Sequence, residues 1–475
     1  MNRRPVRLDA RYVLYWMVAH RRLSWNFALD RAIELARTLQ RPLLVFEPLR
    51  CGYRWAAERH HRFVIDGMVE HRAALSRAPV FYLPYLEPHR GAGSGLLEHL
   101  ARDAAVVVSD DFPAFFLPRM HAAAAGRVDT RLEIVDSNGL LPMRSTDQVF
   151  STAFAFRRYL QRQLPEHLLS RPAARPDWSG LPVLDDLRLP DAWRAADPIL
   201  DEPEAWDGLP VDRSVRPVPF NGGSGPARAR LHAFLDHELG AYPEDRRHPD
   251  RGGTSGLSPW LHWGHLSAHE VVDATLSREG WTPLRLSDRV DGRREGWWGL
   301  GAAAEGFLDE LVTWREIGFN MCALRSDYDS YESLPDWARE TLEAHEVDER
   351  PYLYDLAAFE GAETHDPLWN AAQRQLVAEG RIHNYLRMLW GKKILEWTPS
   401  ARDALEIMIE LNNKYGIDGR DPNSYSGIFW TLGRYDRGWP EREVFGKVRS
   451  MTSESTRRKV EVDCYLERWG PGGSR

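Results

Sequence analysis

The chain has 475 residues, 28% of them charged, and a formal net charge of −7. That length exceeds one ordinary domain and can bury a large core, and the acidic balance excludes a uniformly basic nucleic-acid binder but not a local basic groove. Cys51, Cys322 and Cys464 show no metal spacing, and no apolar run resembles a signal peptide or a membrane span, so a cytoplasmic protein with access to the nucleoid is expected.

Residues 12–18, YVLYWMV, predict a strand, and NFALDRAIELARTLQ after them has helical periodicity. PLLVFEP predicts a second strand, AERHHRFVIDGMVEHRAALSRA a helix and APVFYL a third strand. A helix follows around 95–101, then the strand AAVVVSDD, another helix, and LEIVDSN. This alternation predicts a doubly wound parallel sheet, an α/β domain over 1–165. No GxGxxG follows the first strand, so a dinucleotide fingerprint is missing there. From about residue 165 the chain turns rich in Pro, Gly and Asp, which predicts an interdomain linker over 166–226. Beyond it the pattern predicts an all-helical domain over 227–469 and a polar tail over 470–475.

Several stretches of the helical half carry chemistry-bearing residues. In GGTSGLSPWLHWGHLSAHE, Thr254, Ser255 and Ser258 stand ahead of a predicted helix that they could cap, leaving N–H groups for a phosphate. In FLDELVTWREIGFNM, Glu310 and Trp314 are four apart and share a helical face, where an indole can stack on a flat heteroaromatic and a carboxylate can accept its N–H groups. THDP predicts the start of a helix bearing Trp369, and the next helix carries Trp390, with Trp397 seven residues on and so on the same face. Such tryptophans serve single-electron transfer or core packing. Asn384, Arg387, Lys392 and Lys393 predict a cationic helix face. Arg387 and Asp418 are candidates for a buried ion pair, Asn412 is a neutral amide able to donate or accept, and DGRDPNSYSG predicts a loop. Arg442, Lys447, Arg449, Arg457, Arg458 and Lys459 make the C-terminal stretch locally basic, as a phosphate backbone requires. There is no HExxH, CxxC or Walker loop, and no metal site is expected.

YVLYWM with NFAL, TSGLSPWLHWG, LWNAAQRQLVAEGRIHNYLRMLWGKKILEW, and LNNKYGIDGRDPNSYSGIFW with GWPEREVFGKVR together resemble the class II cyclobutane-pyrimidine-dimer photolyases of the photolyase/cryptochrome family, from about Arg11 to Arg458. The resemblance implies an antenna-type α/β domain, a helical domain holding FAD, and light-driven repair of dimers in DNA by electron transfer from excited reduced FAD to a flipped-out dimer. It implies that Thr254, Ser255, Leu257 and Ser258 bind the cofactor, that Arg387 and Asp418 pair beside the flavin ring, and that Asn412 lies near its reactive nitrogen. Trp390 and Trp369 match the photoreduction dyad, with Trp397 beside the route. Glu310, Trp314, Met388 and Trp430 match residues around the dimer, and Lys447 and Arg449 fall in the DNA-binding stretch. It leaves open a second, antenna chromophore of deazaflavin or folate type, and it implies a monomer with damaged DNA as its partner and no membrane. Departures from the pattern are Ser424, a shortened Leu432–Gly438 segment, Ser450 where Tyr is common, and a looser SDDFPAFFLPRM. The alternative is a cryptochrome-like photoreceptor with FAD and the tryptophan route but no repair. The matching pocket residues and the short polar tail after Trp469 weigh against it.

Overall fold

In the computed structural model the five apolar runs of the N-terminal region become five parallel strands: β1 (Tyr12–Trp16), β2 (Leu43–Leu49), β3 (Val80–Leu86), β4 (Ala104–Asp111) and β5 (Arg131–Asp136). The structure describes residues 1–193, 200 and 208–472; positions 194–199 and 201–207 of the expected linker, and 473–475 of the expected tail, lie outside the described residues. The chain divides into two compact units. The first comprises Met1–Met143, Glu166–Arg230 and Leu257–Ala274, and the second Arg144–Pro165, Leu231–Gly256 and Thr275–Arg475. The described part of the expected linker is thus counted in the first unit.

In the first unit the sheet order is β3-β2-β1-β4-β5, with its reversal between β1 and β4. The helices between the strands are α1 (Phe27–Leu39), α2 (Glu58–Leu75), α3 (Leu96–Arg102) and α4 (Leu117–Arg127). Alternate β1 residues serve opposite layers: Val13 and Tyr15 pack with α1, whereas Tyr12, Leu14 and Trp16 pack with α3 and α4. With both faces covered, β1 and β4 are buried along their whole length, which is why they read as unbroken apolar runs rather than alternating ones. Asp110, the last residue but one of β4, accepts the N–H groups of Val18, Ala19 and His20 at 2.8, 2.8 and 2.9 Å and the Tyr15 hydroxyl at 2.7 Å. Burial pushes its carboxyl up, but His20 and these hydrogen bonds hold it below the usual range.

The second unit contributes no strand to the sheet. The helices that build the candidate site are α5 (Ala302–Leu308), α6 (Arg315–Leu324), α7 (Pro367–Glu379), α8 (Asn384–Glu396), α9 (Ala401–Tyr415) and α10 (Pro422–Thr431). Asp366 caps α7 by accepting from the Leu368 and Trp369 N–H groups, Pro367 follows at the first helical position, and the helix ends at Gly380 with φ +68°. Only 418–421 of the expected DGRDPNSYSG loop is irregular, because Asp421 caps α10 and Pro422 opens it. Helix α8 is buried on nearly every side of its C-terminal half, from Leu389 to Leu395. It approaches α10 through Gly391, where a Cβ would come within 2.6 Å of the Thr431 methyl and 3.1 Å of the Met408 sulfur. Gly318 does the same for α6 and α10: a Cβ there would meet the Ser426 Oγ at 2.6 Å.

Candidate active site

The tryptophans of α7 and α8 are buried and coupled. Trp369 is fully buried, and its indole N–H donates to the Trp390 carbonyl at 2.9 Å; the Trp390 indole N–H donates to Gln373 Oε1 at 2.9 Å. Trp397 stands just past the end of α8 as its C-cap rather than on its face, since the helix ends at Glu396. Its ring lies 6.1 Å from that of Trp369, and Phe359, Tyr354 and His365 surround it.

The expected cationic face of α8 is not a solvated one. Asn384 is exposed and Arg387 half-buried, but Lys392 is fully buried and Lys393 nearly so. A helix enclosed on so many sides has no free face for them, so they find partners inside. Lys393 pairs with Glu396 at 2.6 Å and lies 5.2 Å from the Trp397 ring. Lys392 donates to the Thr431 carbonyl at 2.5 Å and lies 5.1 Å from the Trp430 ring, and burial pushes its pKa down to about 7.

Arg387 and Asp418 do not form the expected ion pair: among the described residues no salt bridge of 4.0 Å or less joins them. The loop bearing Asp418 is tied in other directions. Ile417 N–H donates to the Gly380 carbonyl at 2.8 Å, and the Arg420 guanidinium to the Asn413 carbonyl at 3.2 Å. The Asp418 residue is buried all the same. Asn412 is buried too, and its amide nitrogen donates to Ser424 Oγ at 2.8 Å and Asn413 Oδ1 at 3.0 Å, which leaves its side-chain oxygen as the acceptor. His383, at the N-cap of α8, has both ring nitrogens buried without a hydrogen-bond partner, and burial lowers its pKa to about 4, so the ring is neutral.

The segment Thr254, Ser255, Leu257 and Ser258 changes unit within itself: the first two belong to the second unit, the last two to the first. None of the three hydroxyl residues caps the helix that follows. That helix, Ser258–His262, begins at Ser258 itself and has Leu257 as its N-cap, with no side-chain cap bond; Gly256 at φ +65° turns the chain ahead of it.

Glu310 and Trp314 lie in a π-helical turn, Asp309–Trp314, that joins α5 to α6. Such turns inside α-helices are frequent at functional sites. Glu310 pairs with Arg246 at 2.8 Å, and burial pushes its carboxyl above the usual value against the pull of that guanidinium. Trp314 is half-exposed. Met388 on α8 and Trp430 near the end of α10 are half-buried as well. Arg449 is less available than its sequence context suggests: it makes two hydrogen bonds to Asp436, at 2.9 and 3.1 Å, and lies 4.1 Å from the Trp439 ring and 5.3 Å from that of Trp430. Lys447 is exposed.

Sequence reasoning missed Arg246, Gln373, Asp436 and Trp439. Each acts through a partner fixed only by the fold, and no local spacing marks it. The ring cluster about Trp397 had a signal in the closely spaced aromatics of PYLYDLAAF, which precede THDP. Among the described residues no His, Cys, Asp and Glu group could hold a metal, and no helix is long and apolar enough to cross a membrane.

No protein-family model matches the chain. It is 35% identical over 462 residues to the deoxyribodipyrimidine photo-lyase of Methanothermobacter thermautotrophicus, covering 97% of this chain and 95% of that protein. Two solved structures share the fold. A bacterial class III photolyase from Agrobacterium tumefaciens, 17% identical, matches with a TM-score of 0.72 over 98% of this chain and 87% of its own. A cryptochrome from Synechocystis, 16% identical, matches with a TM-score of 0.67 over 99% and 89%.

Proposed function

The chain belongs to the deoxyribodipyrimidine photo-lyase family, and on that premise we propose that it splits cyclobutane pyrimidine dimers in DNA, using light and bound FAD. The observation that carries this reading is the sequence likeness along almost the whole chain, because the fold is shared with a cryptochrome and does not separate repair from signalling. Assignment to the class II branch is part of the proposal and rests on the motifs around Trp369 and Trp390.

The residues of the second unit fit a flavin. Asp418 is buried without a salt bridge, His383 keeps two buried ring nitrogens unpartnered, and Asn412 offers a fixed acceptor. A ligand with ring N–H groups and polar edges would suit these groups, and leaving a buried pair such as the His383 nitrogens unsatisfied costs about 1–3 kcal/mol each. Asn412, Asp418, Arg387, Thr254 and Ser255 are therefore the residues of this unit proposed to hold FAD. When bound in its reduced form, FAD supplies on light excitation the electron whose loan splits the two carbon–carbon bonds of the cyclobutane ring.

The chain's own residues do the rest. Trp390 and Trp369 would pass an electron inward from an external reductant such as a thiol in solution when the cofactor must be reduced, and their N–H groups, held by a carbonyl and an amide oxygen, would stabilise the indoles while they are electron-poor. Trp314 and Trp430 supply apolar walls for a dimer turned out of the duplex, whose disturbed stacking lowers the cost of extrusion to a few kcal/mol. Glu310, steadied by Arg246, accepts hydrogen bonds from a base edge. Lys447 meets the phosphate backbone, whereas Arg449 acts with Asp436 and Trp439 behind Trp430.

The reading is tested in the dark, by binding of the purified protein to a duplex with one thymine dimer and to the same duplex undamaged. Preference for the damaged duplex is expected, and it should fall on Trp314→Ala. Equal binding to the two duplexes would favour a photoreceptor.

A further inference from the structure

Among the described residues Lys392 is the one lysine with no exposed surface, and the fold goes to some length to put it there. Gly391 lets α8 close on the end of α10, and the next residue then reaches the Thr431 carbonyl and the underside of the Trp430 ring together. We propose that Lys392 is a positioning residue for the lesion: its ammonium holds the Trp430 indole in place as the wall on which a flipped-out pyrimidine dimer docks. This rests on the reading of Trp430 as part of the dimer pocket.

Two bland roles are weaker than this one. The Thr431 carbonyl is a free acceptor at the end of a helix, and a lysine there is a reasonable cap. A cap, however, needs one donor, and a neutral side chain would provide it. An ammonium has three N–H groups, and among the described residues only Thr431 accepts one. Nor is this a buried salt bridge, since no carboxylate lies within 4.0 Å of Lys392. An ammonium buried so incompletely satisfied is costly, and what it gains in return is the face of an indole, the best aromatic partner for a cation.

The charges around it are few. Asp436 and Arg449, from the segment after α10, are the groups that act on it, and they are bound to each other. Lys393 on its own helix is taken by Glu396, and α10 carries no ionisable acid or base beyond Tyr425. From α9 the uncharged Met408 packs beside Gly391. Arg449 lies over Trp430 too, so two cations grip one ring: Lys392 wholly buried, and Arg449 half-exposed and tied to Asp436. With a pKa near 7, Lys392 is charged in a larger fraction of molecules at pH 6 than at pH 8. The grip on Trp430 should tighten accordingly as pH falls.

The test measures the ratio of affinities for a duplex bearing one cyclobutane thymine dimer and for its undamaged twin, using the purified holoprotein in the dark from pH 6 to pH 8. Taking the ratio cancels groups that act on both duplexes alike. In the wild type the ratio should rise as pH falls through 7. K392Q keeps a donor for Thr431 but no charge, and K392M keeps neither. Both should lower the ratio at pH 6 about 3- to 10-fold and remove the inflection near 7. If K392M fails to fold, K392Q decides, with its thermal midpoint confirming the fold. A K392Q protein with an unchanged ratio and an unchanged inflection would overturn the proposal and leave Lys392 as a cap. Trp430→Ala separates the premise from the inference: if that variant keeps the wild-type ratio, Trp430 is no part of the lesion pocket and both fall together.

Discussion

Trp369 and Trp390 each make one hydrogen bond through the indole nitrogen, and together these bonds join α7 to α8 in a fixed arrangement. Replacing either with Phe should abolish or strongly slow light-driven reduction of the flavin, while chemically reduced protein should still repair dimers; normal photoreduction in the double variant would make both packing residues. Glu310→Ala removes a hydrogen-bond acceptor and also strands Arg246. Dimer binding should weaken by about 1–3 kcal/mol, with little change for undamaged DNA, as competition binding would show. Lys392 gives a pH effect on stability as well. Its pKa falls from 10.5 in the unfolded chain to about 7 in the folded one, so between those values the unfolded chain binds the extra proton. Stability should therefore rise as pH climbs from 7 towards 10, and the penalty of burying the charge is fully present below 7. At about 1.4 kcal/mol per unit that penalty is several kcal/mol. Denaturant unfolding of K392M should show a flatter dependence over this range and a higher stability at pH 6; an unchanged slope would assign the dependence to other groups.

The elements that hold these residues were legible to different degrees. The parallel sheet was readable because strands covered on both faces must be apolar throughout, as AAVVVSDD is, and because the helices between them keep their period. The start of α7 was readable from THDP, where the cap and the first proline are adjacent in sequence. The start of α10 used the same chemistry in RDPN, yet read as loop because Gly, Asp and Asn crowd the residues before it. The π-helical turn at Asp309–Trp314 has no marker in composition, since its residues would suit an α-helix equally. Lys392 and Lys393 read as part of one cationic helix face, and their burial was not legible because burial on both sides of a helix is a property of its neighbours. The pairing of Arg387 with Asp418 was expected from their charges and from the family resemblance, whereas backbone ties set the 416–421 loop. Two substitutions test these elements. Asp421→Ala should cost about 0.5–2 kcal/mol by leaving the first turn of α10 uncapped. Gly391→Ala should cost about 1–3 kcal/mol, because its methyl would push against Thr431 and Met408 in a packed interior. Chemical denaturation checks both, and a Gly391→Ala protein as stable as wild type would show that α8 and α10 can separate freely.

For the molecule as a whole, the family supplies the reaction and the second unit supplies buried polar atoms suited to a flavin. Denaturation should release FAD at near one per chain, and adding FAD to the stripped protein should raise its stability, by about 2.7 kcal/mol when free FAD is 100 times its dissociation constant. Finding FMN in its place, or no flavin after reconstitution, would remove the cofactor from the mechanism. Repair itself is read from a short DNA carrying one defined thymine dimer, incubated with the reduced protein under blue light and, in parallel, in the dark. The dimer should revert to two thymines in the light and persist in the dark. A protein that carries reduced FAD, binds this DNA and leaves the dimer intact under blue light would contradict the assignment as a repair enzyme.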